Sequence, residues 1–241
     1  MEWYFIIVIA IVAISVWLAL SALFYRRFFK RFYDIVFSGL ALIALSPLLL
    51  VLTVIGAIAM RGNPFFVQPR PGKIDSRTNK ETIFNLVKYR TMSNKTDEYG
   101  KLLPDEKRLT GYGKFLRRTS LDELPELISI IVGDMSIVGP RPLLVSYLER
   151  YSVEQHHRHD VRPGLTGYAQ VHGRNGITWE DKFKMDIWYT QNITLLGDIQ
   201  IIIGTIKTVL LHEGINSATS VTMEEFVGTS LEVNAEQEAS V

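Results

Sequence analysis

Asp122 and Glu123 are adjacent acids that follow Arg117 and Arg118, in the run Arg117-Arg118-Thr119-Ser120-Leu121-Asp122-Glu123-Leu124-Pro125-Glu126. A short apolar stretch separates them from Gly139-Pro140-Arg141-Pro142, so carboxylates, guanidinium groups and rigid turns crowd into one segment. A carboxylate can attack phosphorus only where cations cancel the repulsion between two anions, and acids flanked by arginines are suited to that chemistry. A second reading is purely local: Ser120-Leu121-Asp122-Glu123 also fits the Ser-x-x-Glu capping box that starts a helix.

The elements that must position these groups begin in an apolar region. Trp3 to Tyr25 carries no charge and, as a helix, is long enough to cross a hydrocarbon layer of about 30 Å. It reads as a retained anchor, because the only charge before it is Glu2 and no small-x-small site followed by a polar sequence appears before Arg26. Cysteine is absent, which removes disulfides and thiolate nucleophiles and agrees with a catalytic portion in a reducing cytoplasm. From Arg26 to Arg118 there are 18 Lys and Arg against 7 Asp and Glu, whereas Thr119 to Val241 has 8 against 17. Basic residues directly beside apolar segments suit an anionic membrane surface and phosphate-bearing ligands; without a nucleic-acid-binding motif, no nucleic acid partner is expected.

Ile35 to Met60 is a second apolar run, interrupted at its midpoint by Ser46-Pro47. Proline removes a backbone donor, so a break is expected there, leaving two halves of about 16 to 20 Å, each too short to span. Arg26, Arg27, Lys30 and Arg31 precede the run and Arg61, Arg70, Lys73 and Arg77 follow it, which places both ends on the cytoplasmic side. A re-entrant helix-break-helix satisfies both observations.

Beyond Arg61 the pattern is globular. Extended segments at Phe65–Gln68 and Thr82–Arg90 predict a small sheet or hairpin, on which Lys88 and Arg90 share a face that could line an anion site. Asp97 to Arg108 reads as a solvated loop with a short helix. Arg162-Pro163-Gly164-Leu165-Thr166-Gly167 and Gly173-Arg174-Asn175-Gly176 are turn-rich and carry arginines and backbone donors suited to phosphate or ribose. His156, His157 and His159 lack the spacing of a zinc site. Thr178 to Tyr189 predicts an amphipathic helix with Trp179, Phe183, Ile187 and Trp188 on one side. Leu195 to Leu211 predicts a helix against the core or the membrane interface, since Asp198, Gln200 and Lys207 oppose a spanning role. The last ten residues read as disordered. There is no internal repeat, Walker A motif or G-x-G-x-x-G.

Lys30-Arg31-Phe32-Tyr33-Asp34, the Ser46-Pro47 break, Gln68-Pro69-Arg70-Pro71-Gly72, Lys88-Tyr89-Arg90-Thr91-Met92, the Asp122 block, Val138-Gly139-Pro140-Arg141-Pro142-Leu143 and the Arg162 and Gly173 turns follow one another in order. Together they closely resemble the bacterial sugar transferase family, and in particular its small monotopic, PglC-like phosphoglycosyl transferases. The resemblance runs from about Arg26 to Leu211 and continues weakly through Val221 to Gly228. It implies transfer of a sugar-1-phosphate from a UDP-sugar to polyprenyl (undecaprenyl) phosphate at the inner membrane, with the catalytic domain on the cytoplasmic face, membrane lipids as partners and UMP released.

The resemblance also implies a covalent phosphosugar intermediate on Asp122, with Glu123 helping to hold Mg2+ and Arg117 and Arg141 neutralising phosphate oxygens. Lys88, Arg90, Arg162, Arg174 and Asn175 complete the expected phosphate or substrate contacts. Lys30 and Arg31 are expected at the headgroup level, Ser46 and Pro47 in the membrane break, and the residues near Gly173 to Trp179 and Glu213 to Gly228 near the sugar.

The expected fold is α+β: a transmembrane helix (1–25), a basic segment and re-entrant helix (26–61), a catalytic domain of helices and a short sheet (62–212), and an acidic tail (213–241). The small members begin near Lys30, so the helix at Trp3 to Tyr25 is an addition to their pattern. Pro125 requires the helix after the acid pair to begin late or to be distorted. A homodimer is compatible with these features, and the transferred sugar cannot be read from residue types. A non-catalytic membrane scaffold and a lipid-diphosphate hydrolase are the competing functions; the first would release no UMP and the second would yield free phosphate or sugar phosphate.

Overall fold

The computed structural model describes residues 2–173, 177–211 and 225–228. Its first element, α1 (Glu2–Leu23), is apolar on every side and almost wholly exposed. Twenty-two residues rise about 33 Å, so this helix matches a bilayer in length, and a helix without a polar face belongs in a protein core or a membrane. One π-helical turn (Tyr25–Phe29) joins it to α2 (Lys30–Met60). At that junction Trp17 Nε1 donates to Tyr33 Oη at 3.0 Å, and the same hydroxyl lies 2.8 Å from Ser21 Oγ.

α2 does not end at Ser46-Pro47, contrary to the expected helix-break-helix. Pro47 has no N–H to give to the carbonyl of Ile43, four residues earlier, and Ser46 Oγ donates to that carbonyl instead, at 2.8 Å. The side chain supplies the missing donor, and the helix continues for 31 residues.

Both ends of α2 are fastened to the rest of the chain. At its start, Lys30 Nζ meets Asp198 at 2.6 Å, Arg31 donates to the carbonyls of Ile130 and Ile131, and buried Asp34 accepts from Ser136 Oγ and the Ile137 N–H. Near its end, Tyr89 Oη donates to the Leu49 carbonyl, Tyr112 Oη donates to that of Leu52, and Leu52 packs with Tyr89 and Leu116. Ala41 and Leu42 cover Phe84, Leu86 and Leu127 in between. The opposite face, including Phe37, Leu40, Ile43, Leu50 and Ile58, is exposed and apolar.

The predicted hairpin is present as antiparallel β1 (Phe65–Asp75) and β2 (Lys80–Tyr89), with Phe65 opposite Tyr89 and an irregularity between Pro71 and Ile74. The short helix α3 (Asp105–Arg108) falls in the predicted loop, and α4 (Gly111–Thr119) follows, capped by Thr110, whose Oγ1 accepts from Gly113 N–H at 2.9 Å. After the acid pair come α5 (Glu126–Val132) and β3 (Ser136–Val138), then α6 (Val153–His156). The Arg162 turn provides β4 (Gly164–Thr166), which pairs in parallel with β3. Here the two backbones nearly touch: a Cβ on Gly164 would sit 2.1 Å from Gly139 N, so the glycines of both motifs are required by packing.

α7 (Tyr168–His172), α8 (Trp179–Gln191) and α9 (Leu195–Leu211) complete the domain; α8 and α9 lie where the sequence pattern places them. Phe183 and Ile187 of α8 are buried, whereas Trp188 is exposed. Asp198 of α9 accepts from Tyr25, Lys30 and Tyr189, which ties the membrane junction to the core. The segment 225–228 docks through Phe226, which is fully buried among Tyr147, Tyr151, Trp179 and Phe183. The remaining tail residues, including the last ten, lie outside the described residues.

Arg158 is buried at the centre and donates to Asp186 at 2.7 Å and to the Arg141 carbonyl at 2.7 Å. Removing one partner of a buried ion pair strands the other charge, at a typical cost of about 3–5 kcal/mol. Asp186→Asn is therefore expected to lower stability by about that amount, read by thermal unfolding in detergent, with the double replacement Arg158→Met/Asp186→Leu recovering part of the loss. A loss under about 1 kcal/mol for Asp186→Asn, the size of an exposed pair, would contradict this role.

Candidate active site

Ser120 ends α4 in the left-handed conformation, with φ 54°, and its side chain caps no helix. The capping-box reading of Ser120 to Glu123 is thereby set aside. Leu121–Glu123 forms a separate 3-10 turn, and α5 begins only after Pro125, whose φ of −61° suits a helix start. The late start anticipated from Pro125 frees Asp122 and Glu123 from the helix and presents them at a cavity.

Glu123 sits between two cations from distant segments. Lys88 Nζ of β2 lies 2.7 Å from its Oε1, and the Arg141 guanidinium reaches both carboxylate oxygens, Oε2 at 3.4 Å and Oε1 more closely. Lys88 also lies 3.0 Å from Glu126 Oε1, so one ammonium serves two acids. Burial alone would push the Glu123 carboxyl up, but Arg141 and Lys88 outweigh it and hold the group well below the usual carboxylate range. Arg141 is correspondingly raised by Glu123. Asp122 behaves in the opposite way: burial first, and then the neighbouring Glu123 charge, raise its pKa. Burial and Glu123 together push Glu126 up to about 7.

The cavity, of about 1130 Å³, is lined by Lys88, Asp122, Glu123 and Arg141 and also by Arg90, Arg117 and Arg118. Arg117 Nε donates to Thr91 Oγ1 at 3.2 Å, which fixes its stem. Ile202, Ile206 and Val209 of α9 supply an apolar wall. The arrangement places a carboxylate of raised basicity next to a neutralised acid and an excess of fixed cations, a setting for an anionic substrate that also carries apolar bulk.

Of the residues expected at the site, Lys88, Arg90, Arg117, Asp122, Glu123 and Arg141 line this one cavity. Arg162 lies apart: its Nε donates to the Gly133 carbonyl at 2.7 Å. Lys30 bonds Asp198, and Arg31 donates to the carbonyls of Ile130 and Ile131 at the end of α5. Ser46 and Pro47 lie within α2. Arg174 and Asn175 fall outside the described residues. The histidines of the 156–159 cluster diverge, His156 to Glu81, His157 to Asp160 and His159 to the Gly72 carbonyl.

Sequence reasoning passed over Glu126. The signal for Glu126 was its place on the first turn of the helix that follows the acid pair. A second cavity of about 310 Å³ was also not anticipated; Arg70, Lys88 and Arg141 border both cavities, and Glu126, Tyr147, Trp179 and Lys182 line only the smaller one.

Among the described residues no group of three His, Cys, Asp or Glu is placed to hold a metal ion. Glu123 Oε2 accepts a long contact of 3.4 Å from Arg141 Nη1 and retains capacity for a cation. One or two carboxylates supplemented by phosphate oxygens and water are the usual donor set for Mg2+, and Asp122 and Glu123 fit that partial set.

Comparison with known proteins agrees with this geometry. The sequence profile described as bacterial sugar transferase matches residues 25–212. The chain is 42% identical over 201 residues to the uncharacterized sugar transferase EpsL of Bacillus subtilis (strain 168), covering 83% of this chain and 96% of that protein. It is 36% identical over 206 residues to the undecaprenyl-phosphate galactose phosphotransferase of Salmonella typhimurium, covering 78% of this chain and 42% of that one. It is 38% identical over 186 residues to the UDP-glucose:undecaprenyl-phosphate glucose-1-phosphate transferase of Klebsiella pneumoniae, covering 74% and 39% respectively. The chain thus spans nearly all of EpsL but less than half of the other two.

Glu126 yields a pH test. Its folded pKa of about 7 lies above the ordinary 4.5, so its protonation stabilises the fold below pH 4.5, and that contribution is lost as pH rises through 7. Glu126→Gln removes this dependence. Melting temperatures measured from pH 4 to 8 are expected to fall for the parent relative to the variant across that window; parallel curves would contradict the assignment.

Proposed function

The chain belongs to the bacterial sugar transferase family, and from that premise we propose that it moves a sugar-1-phosphate from a UDP-sugar to polyprenyl (undecaprenyl) phosphate, releasing UMP. The observation that carries the reading is the Asp122 carboxylate facing a cavity beside Glu123, which Lys88 and Arg141 already neutralise. The Salmonella and Klebsiella relatives are both named for undecaprenyl phosphate and differ in the sugar, galactose or glucose, which makes the same acceptor and an open choice of sugar the natural assignment.

An oxygen of Asp122 attacks the phosphorus that bears the sugar, and the bond from that phosphorus to the bridging oxygen breaks, leaving its electron pair on UMP. A phosphate oxygen of the lipid then attacks the same phosphorus. The bond to Asp122 breaks, the carboxylate returns, and the product is a polyprenyl diphosphate sugar. Arg141 and Lys88 are placed to neutralise the anions as they meet, and arginine does so bidentately. Arg90, Arg117 and Arg118 give the cavity a second cationic region, which suits two phosphate-bearing substrates. Mg2+, when bound through Glu123, would supply further charge neutralisation of the diphosphate.

One substrate is water-soluble and the other is anchored in lipid, so the site must sit at the boundary. We infer that α1 spans the membrane while α2, bent at Pro47 but helical throughout, enters and leaves on one side, with the catalytic domain on the cytoplasmic face. Support comes from the fastening of both ends of α2 to the same domain, from its exposed apolar face, and from Arg26, Arg27, Lys30 and Arg31 at its start. Leu196, Ile199, Ile203 and Ile206 form an exposed apolar stripe on α9, which matches a helix resting at the interface.

Asp122→Asn is expected to reduce lipid-dependent UMP release by about 10⁴-fold or more, the scale of nucleophile removal in covalent catalysis, while leaving membrane insertion intact. Because the reacting form is the carboxylate and its pKa is raised, the parent rate should climb with pH through a value above the ordinary ~3.9 of aspartate. The assay uses detergent-solubilised protein with Mg2+, undecaprenyl phosphate and a panel of UDP-sugars. Turnover retained by Asp122→Asn would overturn the nucleophile assignment, and release of UMP without a lipid-linked product would favour hydrolysis.

A further inference from the structure

The larger cavity is lined unevenly along the chain. Every charged residue that borders it precedes Pro142, and from Leu165 onward its lining carries no charge. At about 1130 Å³ it also exceeds the roughly 300–1,000 Å³ of a pocket for one small ligand. The uncharged lining includes one face of α9, where Ile202, Thr205, Ile206 and Val209 recur at the spacing that aligns side chains along a helix. The hydroxyls on this helix are already used. Thr205 Oγ1 donates to the Ile201 carbonyl at 2.8 Å and lies 2.6 Å from Thr166 Oγ1, and Thr208 Oγ1 donates to the Gly204 carbonyl at 3.0 Å. The α9 face therefore asks a ligand for no hydrogen bond.

This face reaches the outside of the protein. Ile206 borders the cavity and is also 54% exposed, within the apolar stripe that Leu196, Ile199 and Ile203 continue along α9. Phe66 of β1 is likewise a cavity residue that is 47% exposed, and it stands directly opposite Lys88 in the hairpin, so the two side chains share a face. Exposed apolar side chains bordering a cationic cavity suit a ligand with an anionic head and an apolar tail better than a wholly water-soluble one.

Resting on the transferase reading above, we propose that the Ile202, Ile206 and Val209 face of α9 is the track for the isoprenoid chain of the lipid acceptor, which enters past Ile206 while its phosphate reaches Lys88 and Arg141. An isoprenoid chain has no donor or acceptor, so it needs a wall whose own polar groups are paired, as those of Thr205 and Thr208 are. Continuity with the exposed stripe lets the rest of the chain stay in lipid, so that only its first units enter the protein. The UDP-sugar has no apolar tail and makes no use of this face. Acceptor and donor are thereby told apart by the lining of one cavity.

The test uses the full-length protein in mixed micelles and reads the two halves of the reaction separately: the burst of UMP formed from UDP-sugar without lipid, and the KM for acceptor. The acceptors are undecaprenyl phosphate and dimethylallyl phosphate, whose chain is a single isoprene unit. Ile206→Gln is expected to raise the KM for undecaprenyl phosphate about tenfold, while the UMP burst, the donor KM and the KM for dimethylallyl phosphate stay within about twofold of the parent. Val209→Gln should repeat this pattern, and Ile206→Leu should restore the parent value. Ile203→Gln, on the exposed stripe but outside the cavity lining, should leave the undecaprenyl phosphate KM unchanged. An equal rise in Ile203→Gln would show that α9 acts only by docking on the micelle, and an equal penalty on both acceptors would assign Ile206 to the phosphate site; either result overturns the proposal. Competition by phosphatidic acid at the concentrations that saturate undecaprenyl phosphate would assign the face to ordinary acyl chains and overturn it as well. A parent that releases no UMP from any donor overturns the transferase reading itself, whereas an active parent with unaltered Ile206→Gln and Val209→Gln overturns only this inference.

Discussion

A carboxylate beside a phosphate-binding cavity is stable and useful only if positive charge surrounds it, and the pairing of Glu123 with Lys88 and Arg141 meets that constraint. The three residues come from β2, from the turn after α4 and from the loop after β3, so much of the domain serves to bring them together. The hairpin delivers Lys88. Arg158, held by Asp186, grips the Arg141 carbonyl, and the close crossing of Gly139 and Gly164 fixes the loop on which Arg141 sits. Burial and the adjacent Glu123 charge raise the basicity of Asp122, and Arg90, Arg117 and Arg118 also line the cavity.

The same economy of charge governs the membrane face. Basic and acidic groups at the start of α2 are spent inside the protein: Lys30 on Asp198, Arg31 on helix-end carbonyls, Asp34 on β3. Cations at the C-terminal end of α5 also meet the partial negative charge of that helix. These bonds and the contacts of Leu49 and Leu52 at the other end hold an apolar helix against the rest of the domain. The Ser46 hydroxyl allows the helix to pass Pro47 by replacing the donor that proline lacks.

Much of this was legible in the residues themselves. The apolar run before Tyr25, the hairpin, α8 and α9 follow from hydropathy and turn residues, which act locally. Pro125 correctly signalled that the helix after the acid pair starts late. The break at Pro47 was misjudged because its repair depends on one rotamer of Ser46, which no pattern encodes. Arg162 and Lys30 look like ligands for phosphate in sequence, since an arginine or lysine in a glycine-rich or juxtamembrane segment carries no mark of its partner; only folding brought Gly133 and Asp198 to them. The second cavity was hidden for the same reason, because Arg70, Tyr147 and Trp179, which line it, are far apart in the chain and meet only through tertiary packing.

Peptide mass spectrometry of the protein incubated with a UDP-sugar and Mg2+ in the absence of lipid acceptor tests the central assignment most directly. The account predicts a phosphosugar adduct on the peptide containing Asp122, discharged when undecaprenyl phosphate is added. Full lipid-dependent turnover with Asp122 never modified would contradict it and would require direct transfer from donor to lipid.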